Sequence, residues 1–338
     1  VKLATFEVDT ALGAQRRVGA ITNAAMVDVT AARVALLDRS LPSRVAARVG
    51  NAQLPPDMIR ILECGQIGVD WAREAVEFVL SHGVDKSSEN QLTIYAEANV
   101  RILAPVPRPP GIACFTTWEE HIKASEARGG SVRWIPPGSE IRSYYKGNPD
   151  SVIGTGVVLA YPSYAEELDM ECELAAIVGT GGKDLSVDDA RHAIAGYSVY
   201  NDVSVRDIQR REMRCGLGPA KGKDHDGGNV LGPWLVTADE VGDPRTLTLS
   251  MHVNGEEWSS HSTSEMAWDF AELLSYLSRG QTVLPGQVLT SGSYPRGCGA
   301  DLGRKFAPGD TVEMRATRIG SIVNVVGSPE ANARRLIG

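Results

Sequence analysis

Three acids alternate through "LDMECELAAIVG", residues 168–179, where Asp169, Glu171 and Glu173 interleave with Leu168, Met170, Cys172 and Leu174. In an extended strand alternate side chains share a face, and neighbours two apart lie about 6.5–7 Å along the backbone, so Glu171 and Glu173 can reach a common point. Two convergent carboxylates make half of a site for a hard cation. Mg²⁺, Mn²⁺ and Ca²⁺ take oxygen ligands, and Mg²⁺ keeps several positions for water or substrate. The same alternation also describes the wet face of an antiparallel strand, so these residues alone leave both readings open.

A second polar cluster follows in "YNDVSVRDIQRRE", residues 200–212, where Asp202 ends a strand-like run. Arg206 and Gln209 come next, spaced to share one side of a short helical turn. Close behind is the glycine-rich "GLGPAKGKDHDGG" with Lys221 and Lys223, which lacks the G-x-x-x-x-G-K-[ST] order of a nucleotide loop. A lysine on such a loop is either catalytic or simply solvated. The chain contains no H-E-x-x-H and no G-x-S-x-G, and its scattered Gly-x-Gly pairs lack a dinucleotide setting. Six histidines (82, 121, 192, 225, 252 and 261) leave a general base unassigned by residue type alone.

The elements that must position these groups divide at "APVPRPPG", whose four prolines between residues 105 and 110 make a stiff, extended connector. Residues 1–104 read as a small α+β domain. It mixes strand-like runs such as "RRVGAITNAAMVDVT" with a helix over "GVDWAREAVEFVLSHG" that Gly83 ends. Residues 105–338 read mostly as strands: "SVIGTGVVLAY", "DMECELAAIVG", "GYSVYND", "LGPWLVT", "LTLSMHVNG" and "DTVEMRATRIGSIVNVV". Two helices interrupt them. One, "SVDDARHAIAG", starts at Ser186 with Asp189 three residues on and stops at Gly196; the other, "MAWDFAELLSYLSRG", carries an apolar stripe and ends at Gly280. The fold class expected is α+β, mostly β.

Composition narrows the function classes. The 338 residues carry a net charge of −8 with 43% hydrophobic content, an ordinary globular balance with no basic field for nucleic acid or anionic lipid. No apolar stretch approaches the roughly 20 residues that span a bilayer, and "VKLATFEVDT" shows neither a charged leader nor an apolar core. The five cysteines are scattered without a C-x-x-C pair, the pattern of free thiols in a reducing, cytoplasmic compartment.

Taken in order, "LDMECELAAIVG", "YNDVSVRDIQ", "LGPAKGKD", "LGPWLVT", "TSGSYPRGCGADLG" and "FAPGDTVEM" resemble the fumarylacetoacetate hydrolase family. The likeness runs from about residue 101 to 327 and includes the entry "RILAPVPRPPG". It implies a β-roll catalytic domain and one divalent cation, Mg²⁺ or Mn²⁺ with Ca²⁺ as a further option, held by Glu171, Glu173 and Asp202. Asp169 precedes that pair and falls outside it, as an exposed or structural carboxylate. Longer members carry an additional Asp ligand in a D-F-Y pattern, but "CFTTWEEH" has Cys114 and Thr116 there. A thiol is a poor ligand for a hard cation, which leaves three protein carboxylates and puts fumarylacetoacetate itself in doubt as substrate.

The resemblance further implies that His121 is the general base. Its acidic partner in the family's "GxxxEL" falls on Asp301 in "GCGADL", one methylene shorter; Glu120 is adjacent and points away. Arg206, Gln209 and Lys223 match groups that bind substrate and stabilise negative charge, and Tyr145 and Ser293 match substrate contacts. Met213 stands where longer members have a tyrosine, so the pocket there is expected to be less polar. Arg142 and Arg296 are either rim contacts for a carboxylate or solvated.

The activity implied is metal-dependent hydrolysis of a carbon–carbon bond in an acylpyruvate or related β-diketo acid, in catabolism of aromatic or other small organic acids. The cation would polarise a carbonyl, His121 would activate water, and Lys223, Gln209 and Arg206 would steady the oxyanion. Decarboxylase, tautomerase or isomerase, and sugar-acid dehydratase chemistry share the same site, and a non-catalytic binding role is a further alternative. A homodimer is expected, as is usual in the family.

Overall fold

The computed structural model describes residues 1–22, 25–130 and 132–329. Its framework is a twelve-stranded, mostly antiparallel sheet. Along its main path the strands run Ile94–Ala96, Ala25–Asp28, Gly13–Ile21, Lys2–Thr10, Asn229–Thr237, Ile194–Asp202, Cys172–Val178, Val288–Thr290, Ile112–Phe115 and Tyr144–Gly147. The sheet continues across the proline connector, because Lys2 and Leu3 pair with Val236 and Leu235. A second sheet of five strands is built from Glu256–Ser262, Thr248–Val253, Thr311–Ala316, Gly320–Pro329 and Leu159–Tyr161. The architecture is a strand-rich α+β fold.

Two cores cover the large sheet. On one face, helices Val29–Leu37 and Gln66–His82 contribute Val29, Ala32, Ala72 and Val79 against Leu3, Ala175, Ile177, Tyr200 and Leu235. On the other, helix Phe270–Leu277 and the five-stranded sheet pack Phe270, Leu274, Met251 and Met314 on Leu174, Ala176 and Val199. The strand Cys172–Val178 is therefore buried along its whole length. The wet face that its alternating acids suggested does not exist, because both faces of a central strand are covered.

Several boundaries differ from the sequence reading for identifiable reasons. The helix after Ser186 spans Val187–Ala193, with the Ser186 side chain accepting from the Asp189 amide, and it stops short of Gly196. Gly196 instead lies inside the next strand, where a Cβ would fall 2.1 Å from the Val236 carbonyl oxygen. It is a glycine of close strand packing, not a helix stop. "SVIGTGVVLAY" divides into Val152–Ile153 and Leu159–Tyr161, which join different sheets. In "RRVGAITNAAMVDVT" the strands end at Asp28, whose carboxylate caps a helix starting at Val29; residues 23 and 24 lie outside the described residues. Helices Val29–Leu37 and Ser43–Gln53 were not read from the sequence. Gly83 and Gly280 follow helices Gln66–His82 and Phe270–Leu277 with positive φ, as their positions implied.

Among the described residues, no helix is long and apolar enough to cross a membrane. All five cysteines are free.

Leu235 is fully buried at the joint between the strands of the first hundred residues and the rest of the sheet. Leu235→Ala should cost about 2–5 kcal/mol in urea unfolding, and the amides of Lys2–Thr10 should lose hydrogen-exchange protection together with those of Asn229–Thr237. Unchanged protection in Lys2–Thr10 would show that the joint does not hold that strand.

Candidate active site

Strand register places the chemistry on the face that carries Ala175 and Ile177. Ala175 lies opposite Thr290, Thr290 opposite Cys114, and Cys114 opposite Tyr145. One strand over, Glu173 is opposite Tyr200, Tyr200 opposite Leu231, and Asp202 opposite Asn229. The apolar face of Ile112, Ala175, Ile177 and Val288 thus turns polar toward one end of the sheet. There Glu171 leaves the strand and forms an isolated bridge with Cys298.

Carboxylate oxygens of Glu171, Glu173 and Asp202 lie within 4.8 Å of one another, and all three residues are buried. Two cations converge on them. The Lys223 ammonium donates to Glu171 Oε2 at 2.6 Å, sits 2.7 Å from Asp202 Oδ2 and reaches Ser204 Oγ at 2.6 Å. Arg206 donates from Nη2 to Glu171 Oε1 at 2.6 Å, from Nε to Asp169 Oδ2 at 2.7 Å and from Nη1 to Gln209 Oε1 at 2.9 Å. The Tyr145 hydroxyl donates to Asp202 Oδ2 at 2.6 Å, and the Gly292 amide donates to Glu173 Oε2 at 3.0 Å.

Four buried carboxylates, Asp169 included, thus face two cations, an excess of two negative charges when all are ionised. Burial opposes ionisation of Glu171, but Arg206, Lys223 and His121 outweigh it and hold this carboxyl well below its ordinary range. Glu173 goes the other way: burial, then repulsion from Asp202 and Glu171, raises it well above that range. Asp202 is also raised, by burial and Glu171 against the pull of Lys223. Burial disfavours the charged form of Lys223, yet Asp202 and Glu171 more than restore it.

The donor set fits a hard divalent cation. It is all oxygen, it is short of positive charge, and Asp202 Oδ1 is buried without a hydrogen-bond partner.

A second constellation comes from two other segments. Helix Glu119–Ala127 carries His121, and the short helix Gly299–Leu302 carries Asp301. His121 Nδ1 lies 2.8 Å from Asp301 Oδ2, while Nε2 turns toward the triad, 3.9 Å from Glu171 Oε1. A carboxylate can only accept, so the bond to Asp301 puts a proton on Nδ1, and in the neutral imidazole Nε2 is the nitrogen without one. Asp301 is held in turn by the Arg128 guanidinium and the Arg296 amide. Burial opposes its charge, but His121 and Arg128 keep its carboxyl below the ordinary range. Glu120, the sequence alternative, is exposed.

The remaining expected residues differ in their placement. Tyr145, Lys223 and Arg206 sit in the cluster and donate to its carboxylates, Lys223 also to Ser204 and Arg206 also to Gln209, so Arg206 serves first to clamp Glu171 and Asp169. Gln209 is the acceptor that steadies Arg206. Ser293 is buried beside Gly292, its hydroxyl 3.5 Å from the Tyr294 carbonyl oxygen. Met213 lies past the end of helix Arg206–Glu212, half-buried. Of the rim arginines, Arg142 stacks 4.7 Å from the Trp268 ring centroid, and Arg296 is exposed.

Asp169 is not exposed. It accepts from the Met170, Gly299 and Ala300 amides as well as from Arg206, and so ties the segment bearing Glu171 to the one bearing Asp301. Ser204 and Arg128 were not singled out from the sequence. Ser204 carried a weak signal, its place two residues after Asp202; Arg128 carried none, because its partner is 173 residues away.

Comparison with known proteins identifies the family. Residues 112–327 match the family described as fumarylacetoacetate (FAA) hydrolase C-terminal. The chain is 31% identical over 278 residues to the mitochondrial oxaloacetate tautomerase Fahd2a of Rattus norvegicus, covering 81% of this chain and 80% of that protein. It is 30% identical over 283 residues to the oxaloacetate tautomerase YisK of Bacillus subtilis (strain 168), covering 81% and 87%. Among solved structures, maleylpyruvate hydrolase from Sphingobium sp. SYK-6, in complex with manganese(II) and pyruvate, has the same fold, with a TM-score of 0.69 at 21% identity over 98% of this chain and all of that one. With almost two-thirds of its length matched to the family's C-terminal part, and relatives this similar over four-fifths of the chain, the protein belongs to the fumarylacetoacetate hydrolase family.

Proposed function

We propose that the protein is a divalent-cation-dependent enzyme that interconverts the keto and enol forms of a short 2-oxo dicarboxylic acid of the oxaloacetate type. The observation that carries this reading is the free Nε2 of His121, fixed by Asp301 and facing a buried carboxylate triad. The similarity to oxaloacetate tautomerases supports the choice of reaction. Glu171, Glu173 and Asp202 would hold the cation, which when bound supplies Lewis-acid polarisation of a substrate oxygen.

The protein's own groups then move one proton. His121 Nε2 takes it from the carbon next to the 2-oxo group, while Asp301 stabilises the imidazolium that results. Returning a proton to the oxygen completes the enol, with no atom gained or lost. Lys223 holds positive charge at the triad, where negative charge develops on the substrate oxygen. Arg206, engaged with Asp169 and Glu171, keeps the carboxylate nearest His121 in place.

Hydrolytic carbon–carbon cleavage of an acylpyruvate is the second reading. The same His121–Asp301 pair suits removal of a proton from water, which is the observation that favours it. Product chemistry separates the two: a tautomer has the mass of its substrate, whereas hydrolysis leaves two fragments with water oxygen in the new carboxylate.

Loss of the oxaloacetate enol absorbance, corrected for the spontaneous rate, should accelerate with metal-stripped protein only after Mg²⁺ or Mn²⁺ is restored, with no CO₂ released. Enol decay at the uncatalysed rate, together with an acylpyruvate split into ¹⁸O-labelled acid in labelled water, would replace this reading with the hydrolytic one.

His121→Asn should lower kcat by roughly 10²–10⁴-fold and Asp301→Asn by roughly 10–100-fold. In both, calorimetry should find cation affinity within a few-fold of the parent. Glu173→Ala should instead abolish or greatly weaken cation binding. Undiminished turnover in His121→Asn would remove the dyad from the mechanism.

A further inference from the structure

The proposed reaction makes no use of Cys298, which precedes the Asp301 helix and is fully buried. Its sulfur, a His121 ring nitrogen and an Asp301 carboxylate oxygen all lie within 4.8 Å of one another. We propose that these three side chains form a second metal site, selective for Zn²⁺ over the hard cations of the carboxylate triad, and that filling it silences His121.

Donor chemistry separates the two sites. The triad offers only oxygen, whereas the second set offers one nitrogen, one sulfur and one oxygen, a mixture that suits Zn²⁺ and that Mg²⁺ avoids. Three protein ligands leave a fourth tetrahedral position for water.

The site is not fully open in the structure. His121 Nδ1 and Asp301 Oδ2 stand 2.8 Å apart, closer than the roughly 3.3–3.8 Å between ligand atoms around a tetrahedral zinc ion. Binding therefore spreads the pair by about half an ångström or more. The contact placed to yield is Arg128, whose side chain is 41% exposed and free to swing into solvent. Burial first, then Asp169, Asp301 and Glu171, hold the Cys298 thiol well above its ordinary range against the pull of Arg206, so its proton leaves only as the metal displaces it.

The step is coordination without redox change. As the zinc–sulfur bond forms, the thiol proton passes to solvent. The proton on His121 Nδ1 moves to Nε2, the freed Nδ1 lone pair and an Asp301 oxygen go to the metal, and Nε2, now protonated, no longer serves as the base. Zn²⁺ should thus inhibit even when Mg²⁺ saturates the triad. The inhibition depends on the proton-transfer role of His121, but the binding does not.

The test uses the full chain with the two exposed thiols removed, Cys64→Ser and Cys215→Ser, in excess Mg²⁺. Titration with Co²⁺ as a zinc surrogate should develop a sulfur-to-metal charge-transfer band at one equivalent. X-ray absorption of the zinc-loaded protein should show one sulfur at about 2.3 Å. Adding Cys298→Ser should remove the band and weaken Zn²⁺ binding by roughly tenfold or more. Turnover in that variant should stay near the parent rate and become resistant to Zn²⁺. His121→Asn, which keeps the thiol, should weaken Zn²⁺ binding as well and guards against misfolding of the cysteine variant. A band that persists without Cys298, or a zinc shell without sulfur, would overturn the site. A failure of oxaloacetate turnover alone would leave the spectroscopic result untouched.

Discussion

The structure is organised around a surplus of negative charge buried at one end of a central sheet. Isolated carboxylates do not survive in such a place, because desolvation costs far more than any single contact returns. Asp169, Glu171, Glu173 and Asp202 persist because Lys223 and Arg206 are buried with them and the Tyr145 hydroxyl and Gly292 amide donate to them. The compensation is incomplete: the raised carboxyls of Glu173 and Asp202 register a cluster that lacks positive charge. In the proposed reading a divalent cation would supply what the side chains leave out, so the same imbalance that costs folding energy would become affinity.

The rest of the site hangs from that cluster. Asp169 links Arg206 to the amides of Gly299 and Ala300, so the segment delivering Asp301 is registered against the one delivering Glu171. The bridge between Glu171 and Cys298 makes the same connection through the backbone. His121 is placed from a third direction, by a helix whose preceding Trp118 donates to the Gly292 carbonyl oxygen. The Gly292 amide in turn holds Glu173. The His121–Asp301 pair and the carboxylate triad thus share supports, and a shift in one must be felt by the other.

Much of this was legible in the chain. The spacing of Glu171 and Glu173, Asp202 at a strand end and the polar residues after it marked a candidate cation site, and the ordered segments around them marked the family. The helix stops at Gly83 and Gly280 were also readable, since positive φ leaves few alternatives to glycine. What misled was the environment. Alternating acids suggested a solvated strand face, and Gly196 suggested a helix end. A pattern of residue types does not say what lies on either side of a strand, nor how close the next strand's carbonyl comes.

The sequence by itself determined the chemical inventory and part of its local geometry: which carboxylates share a strand face, the helix start at Ser186 and the stops marked by Gly83 and Gly280, and which segments carry the family's order. Only the tertiary structure decided the partners. It brought together His121 and Asp301, a pair that only the family resemblance had implied, across 180 residues, committed Arg206 to two carboxylates, brought Cys298 to the same dyad and buried Asp169. Hydrogen bonds and ion pairs act over a few ångströms of space, and distances of that size between remote segments exist only after strand register and core packing have brought them together.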